Sequence, residues 1–473
     1  MMLADILAQL QKQASAGESG VAAAFELNWQ SLEPEAQKLA CLLSLFALAP
    51  IPWSLVESAA SASHLEFDFK DNCAVLVERY LLQELAEDTY QVHDRIRELL
   101  QQKLEDLAEA DELKRGYCQA MVAVAKDIPQ TPTLIEIGQA TLVIPHLAEA
   151  ATVYQAWLSD DDLIWPFVGL SRFYEGQGAY VQALPWHEQC LSAARKRFGD
   201  EHPDVATSLN NLALLYKSQG RYSDAEPLLI EALAMTKRLL GDEHPDVATS
   251  LNNLALLYDS QGRYSDAEPL YIQALAMTKR LLGDEHPDVA TSLNNLALLY
   301  KSQGRYSDAE PLLIEALAMT KRLLGDEHPD VATSLNNLAL LYDSQGRYSD
   351  AEPLLIEALA MRKRLLGDEH PDVATSLNNL ALLYNSQGRY SDAEPLLIEA
   401  LAMTKRLLGD EHPDVATSLN NLALLYKSQG RYSDAEPLYI EALEIAEKLL
   451  GANHPNTITF RENLEDLRRN RQP

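Results

Sequence analysis

The chain has 473 residues, of which 47% are hydrophobic and 23% charged, and 70 acidic residues against 39 basic ones give a formal net charge of −31. This is the composition of a folded protein rather than a disordered one, and the length predicts about three domains. The acidic balance argues against nucleic acid and anionic membranes as partners, because both are bound through lysine and arginine.

Cysteine usage and the N-terminus both bear on the compartment. Cys41, Cys73, Cys118 and Cys190 lie far apart with no C-x-x-C pair, which excludes a disulfide framework and a zinc ribbon and favours a reducing compartment. The N-terminal segment has no basic residues ahead of an apolar run, so we expect no signal peptide. The uncharged stretch 39–56 contains two prolines, which suits a buried helix and a turn better than a membrane span. We therefore predict a cytoplasmic protein.

The first third of the chain is predicted to be a helical domain with a small hairpin. Apolar spacing and proline positions predict helices at Ser19–Leu32, Pro34–Ala47 and Asp71–Tyr80. Ser54–Glu57 reads as the capping box of a further short helix. All five tryptophans precede Gly199, where the uniform repeats described below begin, and this shift in composition indicates a domain boundary.

The hairpin is predicted from two short runs around a turn. Leu81–Leu85 and Thr89–Val92 flank Ala-Glu-Asp, and a last helix follows from Asp94 to about Leu107. Helices followed by a hairpin are typical of a winged helix. We assign residues 1–19 to a leftover helical segment, 20–107 to this winged-helix-like domain, and 108–162 to a helical bridge.

Two stretches of this domain resemble a known family. LNWQSLEPEAQKLACLLSLFALAPIPWSLVE and YQVHDRIRELL are similar to the winged-helix segment of NB-ARC ATPases of the STAND class. The resemblance implies that His93, in a V-H-D version of that family's M-H-D motif, senses the β-phosphate of ADP. The sequence contains no G-x-x-x-x-G-K-[ST] loop, so this role requires an NTPase domain as a partner. The alternative is that His93 orders the junction between hairpin and helix.

From residue 163 onward the sequence is an internal repeat of 42 residues. A glycine marks each period, at Gly199, Gly241, Gly283, Gly325, Gly367, Gly409 and Gly451. Within a period, Pro203 and Gly220 are predicted to begin and end a first helix, while a capping box at Ser223–Glu226 and Gly241 delimit a second. Helical spacing predicts the buried faces of the two helices: Val205, Leu209 and Leu212 in the first, and Leu228, Ala232, Leu233, Met235 and Leu239 in the second. A single hairpin cannot bury its own apolar face, so the hairpins must stack. The predicted fold is all-α: a right-handed solenoid of about seven hairpins and a C-terminal cap helix over residues 163–473.

The repeat resembles the tetratricopeptide family. The pattern L-x-x-L-A-x-x-Y…Q-G-x-Y-x-x-A is that of tetratricopeptide repeats, and the 42-residue form with G-D-E-H-P-D-V-A resembles the repeats of kinesin light chains. The heptad stalk of kinesin light chains has no counterpart here, which argues against an actual kinesin subunit. The resemblance implies a groove lined by the first helix of each hairpin and a protein or peptide ligand.

Two sets of groove residues follow by position. The first is an asparagine ladder that would hydrogen-bond the backbone of an extended peptide: Asn210, Asn252, Asn294, Asn336, Asn378 and Asn420. The second set varies in charge and would select the partner: Lys217, Asp259, Lys301, Asp343, Asn385 and Lys427. The alternatives are that the asparagines bond to one another and order the stack, and that lysine pairs with aspartate along the solenoid.

The remaining motifs favour structure over chemistry. Seven histidines repeat from His202 to His454, each beside an acid or asparagine, but their spacing suits helix capping better than a metal site. No nucleophile, base or paired carboxylates stand out, so we predict no enzyme, no cofactor and no metal. The predicted function is a non-enzymatic protein-interaction module, the sensor or arm of a STAND-type signalling NTPase. The alternative is a free-standing adaptor like a kinesin light chain.

Overall fold

The computed structural model describes residues 18–65, 69–130, 132 and 134–471. The chain divides into two compact units, Met1–Phe173 and Tyr174–Pro473. The division lies about ten residues beyond the predicted start of the repeats, inside a helix. The finer boundaries proposed within the first unit stay a prediction.

The first unit combines helices with one small sheet. The helices are α1 (Glu18–Gln30), α2 (Pro34–Leu43), α3 (Trp53–Ala62), α4 (Phe69–Glu78), α5 (Asp94–Glu105), α6 (Ala110–Asp127), α7 (Leu134–Thr141), α8 (Ile144–Thr152) and α9 (Trp165–Glu175), with two 3₁₀ turns at Gln155–Trp157 and Asp160–Asp162. The strands β1 (Ile51–Pro52), β2 (Gln83–Ala86) and β3 (Thr89–Gln91) form an antiparallel sheet in the order β1-β3-β2.

The predicted elements of this unit are largely present. The helices predicted before the hairpin are found as α1, α2 and α4, and the predicted hairpin is β2–β3. The strand β1 was not predicted, because two residues ending in a proline carry no alternating pattern. The prediction of a capping box at Ser54 is wrong. Helix α3 begins at Trp53, and its N-cap residue is Pro52, which makes no side-chain hydrogen bond to the start of the helix.

The core of the first unit is held by aromatic rings around a buried histidine. Phe46 lies edge-on to Tyr117 and to His146, with ring centroids 5.0 and 5.3 Å apart. The His146 Nδ1 accepts from the Ala47 N–H at 3.0 Å, its Nε2 lies 3.0 Å from the Pro50 carbonyl, and Tyr117 donates to the His146 carbonyl at 2.6 Å. Burial lowers the pKa of His146 to about 4, so the ring is neutral near pH 7.

The second unit is a stack of helical hairpins. Its helices are α10 (Tyr180–Phe198), α11 (Pro203–Ser218), α12 (Tyr222–Leu240), α13 (Pro245–Ser260), α14 (Tyr264–Leu282), α15 (Pro287–Ser302), α16 (Tyr306–Leu324), α17 (Pro329–Ser344), α18 (Tyr348–Leu366), α19 (Pro371–Ser386), α20 (Tyr390–Leu408), α21 (Pro413–Ser428), α22 (Tyr432–Leu449) and α23 (Pro455–Arg471). We call α11, α13, α15, α17, α19 and α21 the A helices, and α12, α14, α16, α18, α20 and α22 the B helices. The last helix, α23, is the predicted cap helix.

The helix ends follow from the repeated residues. Each A helix has proline in its first turn, and Gly220, with φ +68°, ends the turn that follows α11. The predicted capping box at Ser223 is wrong. The B helix begins one residue earlier, at Tyr222, with Arg221 as an N-cap residue that makes no side-chain cap. Asp224 instead accepts from the Arg221 Nε at 2.7 Å.

Burial confirms most of the predicted apolar faces. Val205, Leu209 and Leu212 of α11 are buried in one cluster with Ala232 and Met235 of α12. The prediction is wrong for Leu239, which is 36% exposed. Leu229, which was not predicted, is buried against the next A helix.

The arrangement of helices defines an inner and an outer side of this unit. Each B helix packs between its own A helix and the A helix of the next repeat. Neighbouring A helices also contact each other, more closely than neighbouring B helices do. The A helices therefore line the inner side of the curve, as the resemblance implied.

The curve brings the solenoid back alongside its own beginning. A Cβ placed on Gly178 would lie only 2.5 Å from the Pro413 Cδ, and one on Gly220 only 3.0 Å from the His454 Cδ2. Tyr180 packs into the cluster that surrounds Val415. One superhelical turn thus takes between five and six repeats, and successive turns touch. The inner face of the A helices is enclosed by this turn.

Among the described residues, no helix is both long and apolar enough to cross a membrane.

Candidate peptide-binding face

The repeated histidines begin the A helices. The Nδ1 of each N-cap histidine accepts from the backbone N–H two residues later, at 3.1 to 3.2 Å from His202 through His454. This supports the capping interpretation, because the first N–H groups of a helix have no partner inside it. Within the described part of the chain, no group of three or more His, Cys, Asp or Glu could hold a metal ion.

The predicted asparagine ladder is tied into the stack by hydrogen bonds between repeats. The second asparagine of each pair donates from its Nδ2 to the Oδ1 of the first asparagine in the preceding repeat, for example Asn337 to Asn294 at 2.9 Å. The same bond of 2.9 to 3.0 Å links Asn210, Asn252, Asn336, Asn378 and Asn420 to the next repeat or the cap helix. Each ladder carbonyl therefore has a structural role, and peptide capture stays a prediction for these residues.

The position of variable charge lies half-buried near the end of each A helix. Burial lowers the pKa of Lys217 while the carboxylate of Asp259 opposes the shift, and Lys301 is in the same position beside Asp343. Burial also raises the pKa of both aspartates. Each of these two lysines therefore interacts electrostatically with the aspartate of the next repeat. Charges of this kind are partly desolvated, so they gain from a partner of opposite charge.

The last two members of this series differ from the others. The Oδ1 of Asn385 is buried and accepts no hydrogen bond from any part of the chain that the structure describes. Lys427 forms a salt bridge with Asp466 of the cap helix. The inner face thus offers half-buried charges and mostly exposed threonines that recur from one repeat to the next, and an unsatisfied acceptor at Asn385.

A polar recess opens between the neighbouring A helices α19 and α21. Its volume is about 280 Å³, and its lining comprises Pro371, Ala374, Thr375, Asn378, Asn379, Thr404, Leu408, Asp414, Thr417 and Ser418. Thr404 belongs to the B helix beneath, and its hydroxyl donates to the Ala400 carbonyl at 2.8 Å. This recess was not predicted from the sequence. Three helices form it, and its lining residues belong to the motif that the repeats share, so no residue marks it out.

One junction differs from the rest because an arginine replaces the threonine. The position occupied by Thr236, Thr278, Thr320 and Thr404 in other B helices is Arg362 in α18, and its side chain is 6% exposed. The Arg362 Nη1 donates to Ser376 Oγ at 2.8 Å and to the Asp372 carbonyl at 3.2 Å, and Nη2 donates to Thr333 Oγ1 at 3.3 Å. Burial lowers the pKa of this guanidinium.

Arginines at the hairpin turns also join neighbouring repeats. The Arg305 Nη1 donates to both carboxylate oxygens of Glu268, at 2.8 and 2.9 Å, its Nε donates to Asp308, and its Cζ lies 4.0 Å from the Tyr300 ring centre. The same set recurs around Arg263, Arg347, Arg389 and Arg431. This network of ion pairs was not predicted from the sequence. The constant spacing of 37 residues between each glutamate and its arginine could have indicated it.

His93 is the N-cap residue of α5. Its Nδ1 accepts from the Arg95 N–H at 3.2 Å, and the ring follows the last strand of the sheet. This position agrees with the alternative interpretation, in which His93 orders the junction between the hairpin and the helix. A contact with nucleotide stays a prediction.

Comparison with known proteins places the repeats in a family. The tetratricopeptide repeat matches seven overlapping segments that together run from residue 162 to residue 471. The chain belongs to the tetratricopeptide repeat family. Such repeats form protein-interaction modules, so the family supports an interaction role in general and names no ligand. No curated protein matches the chain.

Solved structures similar to the chain include several tetratricopeptide proteins. BtubC (BKLC) from P. vanneervenii is 29% identical over 48% of this chain and 91% of its own, with a TM-score of 0.41. A putative kinesin light chain from Podospora anserina, with nearly identical repeats, is 31% identical over 44% of this chain and 98% of its own, with a TM-score of 0.37. A STAND protein with a tetratricopeptide repeat sensor from Pyrococcus horikoshii is 16% identical over 96% of this chain and 68% of its own, with a TM-score of 0.42.

Proposed function

We propose that the inner face of the A helices binds an extended segment of a protein partner and that the chain catalyses no reaction. The observation that carries this is the polar inner face, where half-buried charges and exposed threonines recur in register while the apolar residues are used in stacking. Because successive turns of the solenoid touch, the enclosed face suits a narrow, extended peptide better than a globular domain. The net charge of −31 favours a basic peptide.

The asparagine ladder provides the test of this binding mode. A binding peptide would be selected from a displayed library of random peptides on the full chain, and its affinity measured for two variants. Asn294→Ala and Asn337→Ala break the same inter-repeat hydrogen bond from its two ends. If the Asn294 amide also contacts the ligand, Asn294→Ala weakens binding by about tenfold more than Asn337→Ala, the value of about one hydrogen bond.

Equal losses of affinity in the two variants would mean that the asparagines serve only the stack. Unchanged affinity in both would remove the ladder from the binding face. Circular dichroism of each variant shows whether the helices are retained.

We further propose that the first unit couples this binding to a STAND-type NTPase partner. Three antiparallel strands followed by a helix that His93 caps support a winged-helix reading of residues 20–107. Co-purification with an ATPase would test the coupling. In that complex, His93→Ala should lower ADP affinity several-fold, and Arg95→Ala should not. The free-standing adaptor, the alternative, predicts peptide binding that nucleotide does not change.

The proposed location is the cytoplasm. The four cysteines are buried and unpaired, and burial raises the pKa of the Cys41 and Cys118 thiols to about 12. Such thiols are poor nucleophiles, which supports a packing role in a reducing compartment. Reduction and oxidation of the purified protein should therefore leave its unfolding midpoint unchanged.

A further inference from the structure

One junction of the solenoid already contains a side chain that fills the position of the recess. Each lining position of the recess between α19 and α21 has an image 42 residues earlier, between α17 and α19. Nine of the ten image positions carry the same residue type, and the tenth is Arg362 in place of Thr404. The two junctions therefore differ in one side chain.

Arg362 occupies its junction by bonding to the lining itself. Its three acceptors, Thr333, Asp372 and Ser376, are the images of Thr375, Asp414 and Ser418 in the neighbouring recess. The arginine also covers its surroundings. Ser376 is 1% exposed, while the equivalent serines of the neighbouring repeats are 8 to 9% exposed. The lining of the junction is thus complementary in size and in hydrogen-bond acceptors to a guanidinium group.

We infer that the recess between α19 and α21 binds an arginine side chain of the peptide ligand. This inference rests on the proposed binding face and names the residue that the face recognises. The guanidinium donates to Thr375 Oγ1, to Ser418 Oγ and to the backbone carbonyl of Asp414, as Arg362 does at the image positions. The Asp414 carboxylate lies at the rim of the recess and supplies the opposite charge.

The chemistry favours arginine over lysine. Three oxygen acceptors on two helices match the fork of a planar guanidinium, whereas an ammonium is a compact point charge with stronger hydration. Apart from the Asp414 carboxylate at the rim, the polar groups that line the recess are neutral hydroxyls, amides and carbonyls. A guanidinium is weakly hydrated, so its desolvation cost on entering this recess is lower than that of an ammonium. Arg362 shows that this chain holds a guanidinium there without a carboxylate in direct contact.

The test exchanges the two junctions. The probe is a Gly-Ser peptide with one central arginine, and its lysine counterpart is the control. Binding to the full chain is measured by isothermal titration calorimetry. Thr404→Arg fills the recess in the manner of Arg362 and should lower the number of bound arginine peptides by one. Arg362→Thr opens one further recess and should raise the number by one.

Charge-matched variants separate the recess from general electrostatics. Ile398→Arg adds the same charge on an exposed position, and Lys196→Thr removes one from another exposed position. Both should leave the number of bound peptides unchanged. If Ile398→Arg lowers binding as much as Thr404→Arg, or if the lysine peptide binds equally, the recess does not recognise arginine.

The two proposals fail in different ways. A greater loss of library-peptide binding in Asn294→Ala than in Asn337→Ala, together with no effect of Thr404→Arg on the arginine peptide, would reject the recess and keep the binding face. Thr404→Arg introduces a residue that the chain already accommodates at the image position, and its circular dichroism shows whether the fold is retained.

Discussion

The two units of this chain are stabilised in different ways. In the solenoid, each repeat uses the same short list of contacts: a histidine that caps its own A helix, and an asparagine bond and a turn arginine that join it to a neighbouring repeat. In the first unit, residues far apart in sequence meet once, as where Ala47 and Pro50 bond to His146. Loss of one contact should therefore stay local in the solenoid and spread through the first unit.

The largest effect is expected from a core truncation in the first unit. Phe46→Ala removes a ring that is 1% exposed and touches both Tyr117 and His146, which costs about 3–5 kcal/mol. The matched change in the solenoid is Leu313→Ala, which is equally buried and costs about 2–5 kcal/mol. Hydrogen exchange measured by mass spectrometry distinguishes the two.

We expect Phe46→Ala to speed exchange throughout the first unit. Leu313→Ala should speed exchange mainly in its own repeat and its neighbours. Equally widespread exchange in both variants would contradict the comparison between the units.

The second effect is a loss of stability in acid that arises from His146 in the first unit. The pKa of His146 is about 4 in the folded state against 6.5 for the free side chain, so the unfolded state binds the extra proton in between. Stability is present above pH 6.5 and is lost as the pH falls toward 4, by an amount on the order of 3 kcal/mol. Denaturant unfolding of the first unit, followed through its tryptophans, measures this.

His146→Gln is the control for the acid effect, since glutamine does not titrate in this range. The variant should be less stable at pH 7 but should lose less stability between pH 6.5 and 4. An unchanged pH dependence would assign the acid effect to other groups.

Much of this difference between the units could be read from the sequence. The period of 42 residues, the prolines and the glycines predict where each A helix begins and ends, because a repeated local signal is reinforced at every copy. The His146 site was missed, since its partners lie about one hundred residues away and no local pattern joins them. The same limit hid the recess around Thr404 and the role of Arg362, which only appear when neighbouring helices are packed.

The third effect concerns the contact between successive turns of the solenoid. Gly178→Ala places a Cβ against the Pro413 ring at 2.5 Å, so one side must move. Gly262→Ala has a similar positive φ, +70° against +66°, but apart from its chain neighbours no atom of the described residues lies within 4 Å of the added Cβ. Each substitution lowers the stability by about 1 kcal/mol, because alanine disfavours a positive φ. Only Gly178→Ala should also separate the turns.

Small-angle X-ray scattering checks this prediction. A larger maximum dimension for Gly178→Ala than for Gly262→Ala is expected. Identical curves for the two variants would mean that the turns do not touch in solution.

The smallest effect is expected from the turn arginines, because their ion pairs are exposed to solvent. Arg305→Met keeps the packing on Tyr300 and removes the bonds to Glu268 and Asp308, whereas Arg305→Lys keeps the charge without the bidentate geometry. Arg305 holds the pKa of the Glu268 carboxyl below its ordinary value. We expect Arg305→Met to lower the unfolding midpoint slightly at low salt, and the difference from the wild type to disappear near 1 M salt, where such pairs are screened. Since five arginines form the same set, the effect of replacing them should sum over neighbouring repeats, and a loss that far exceeds the sum would show that the solenoid unfolds as one unit after all.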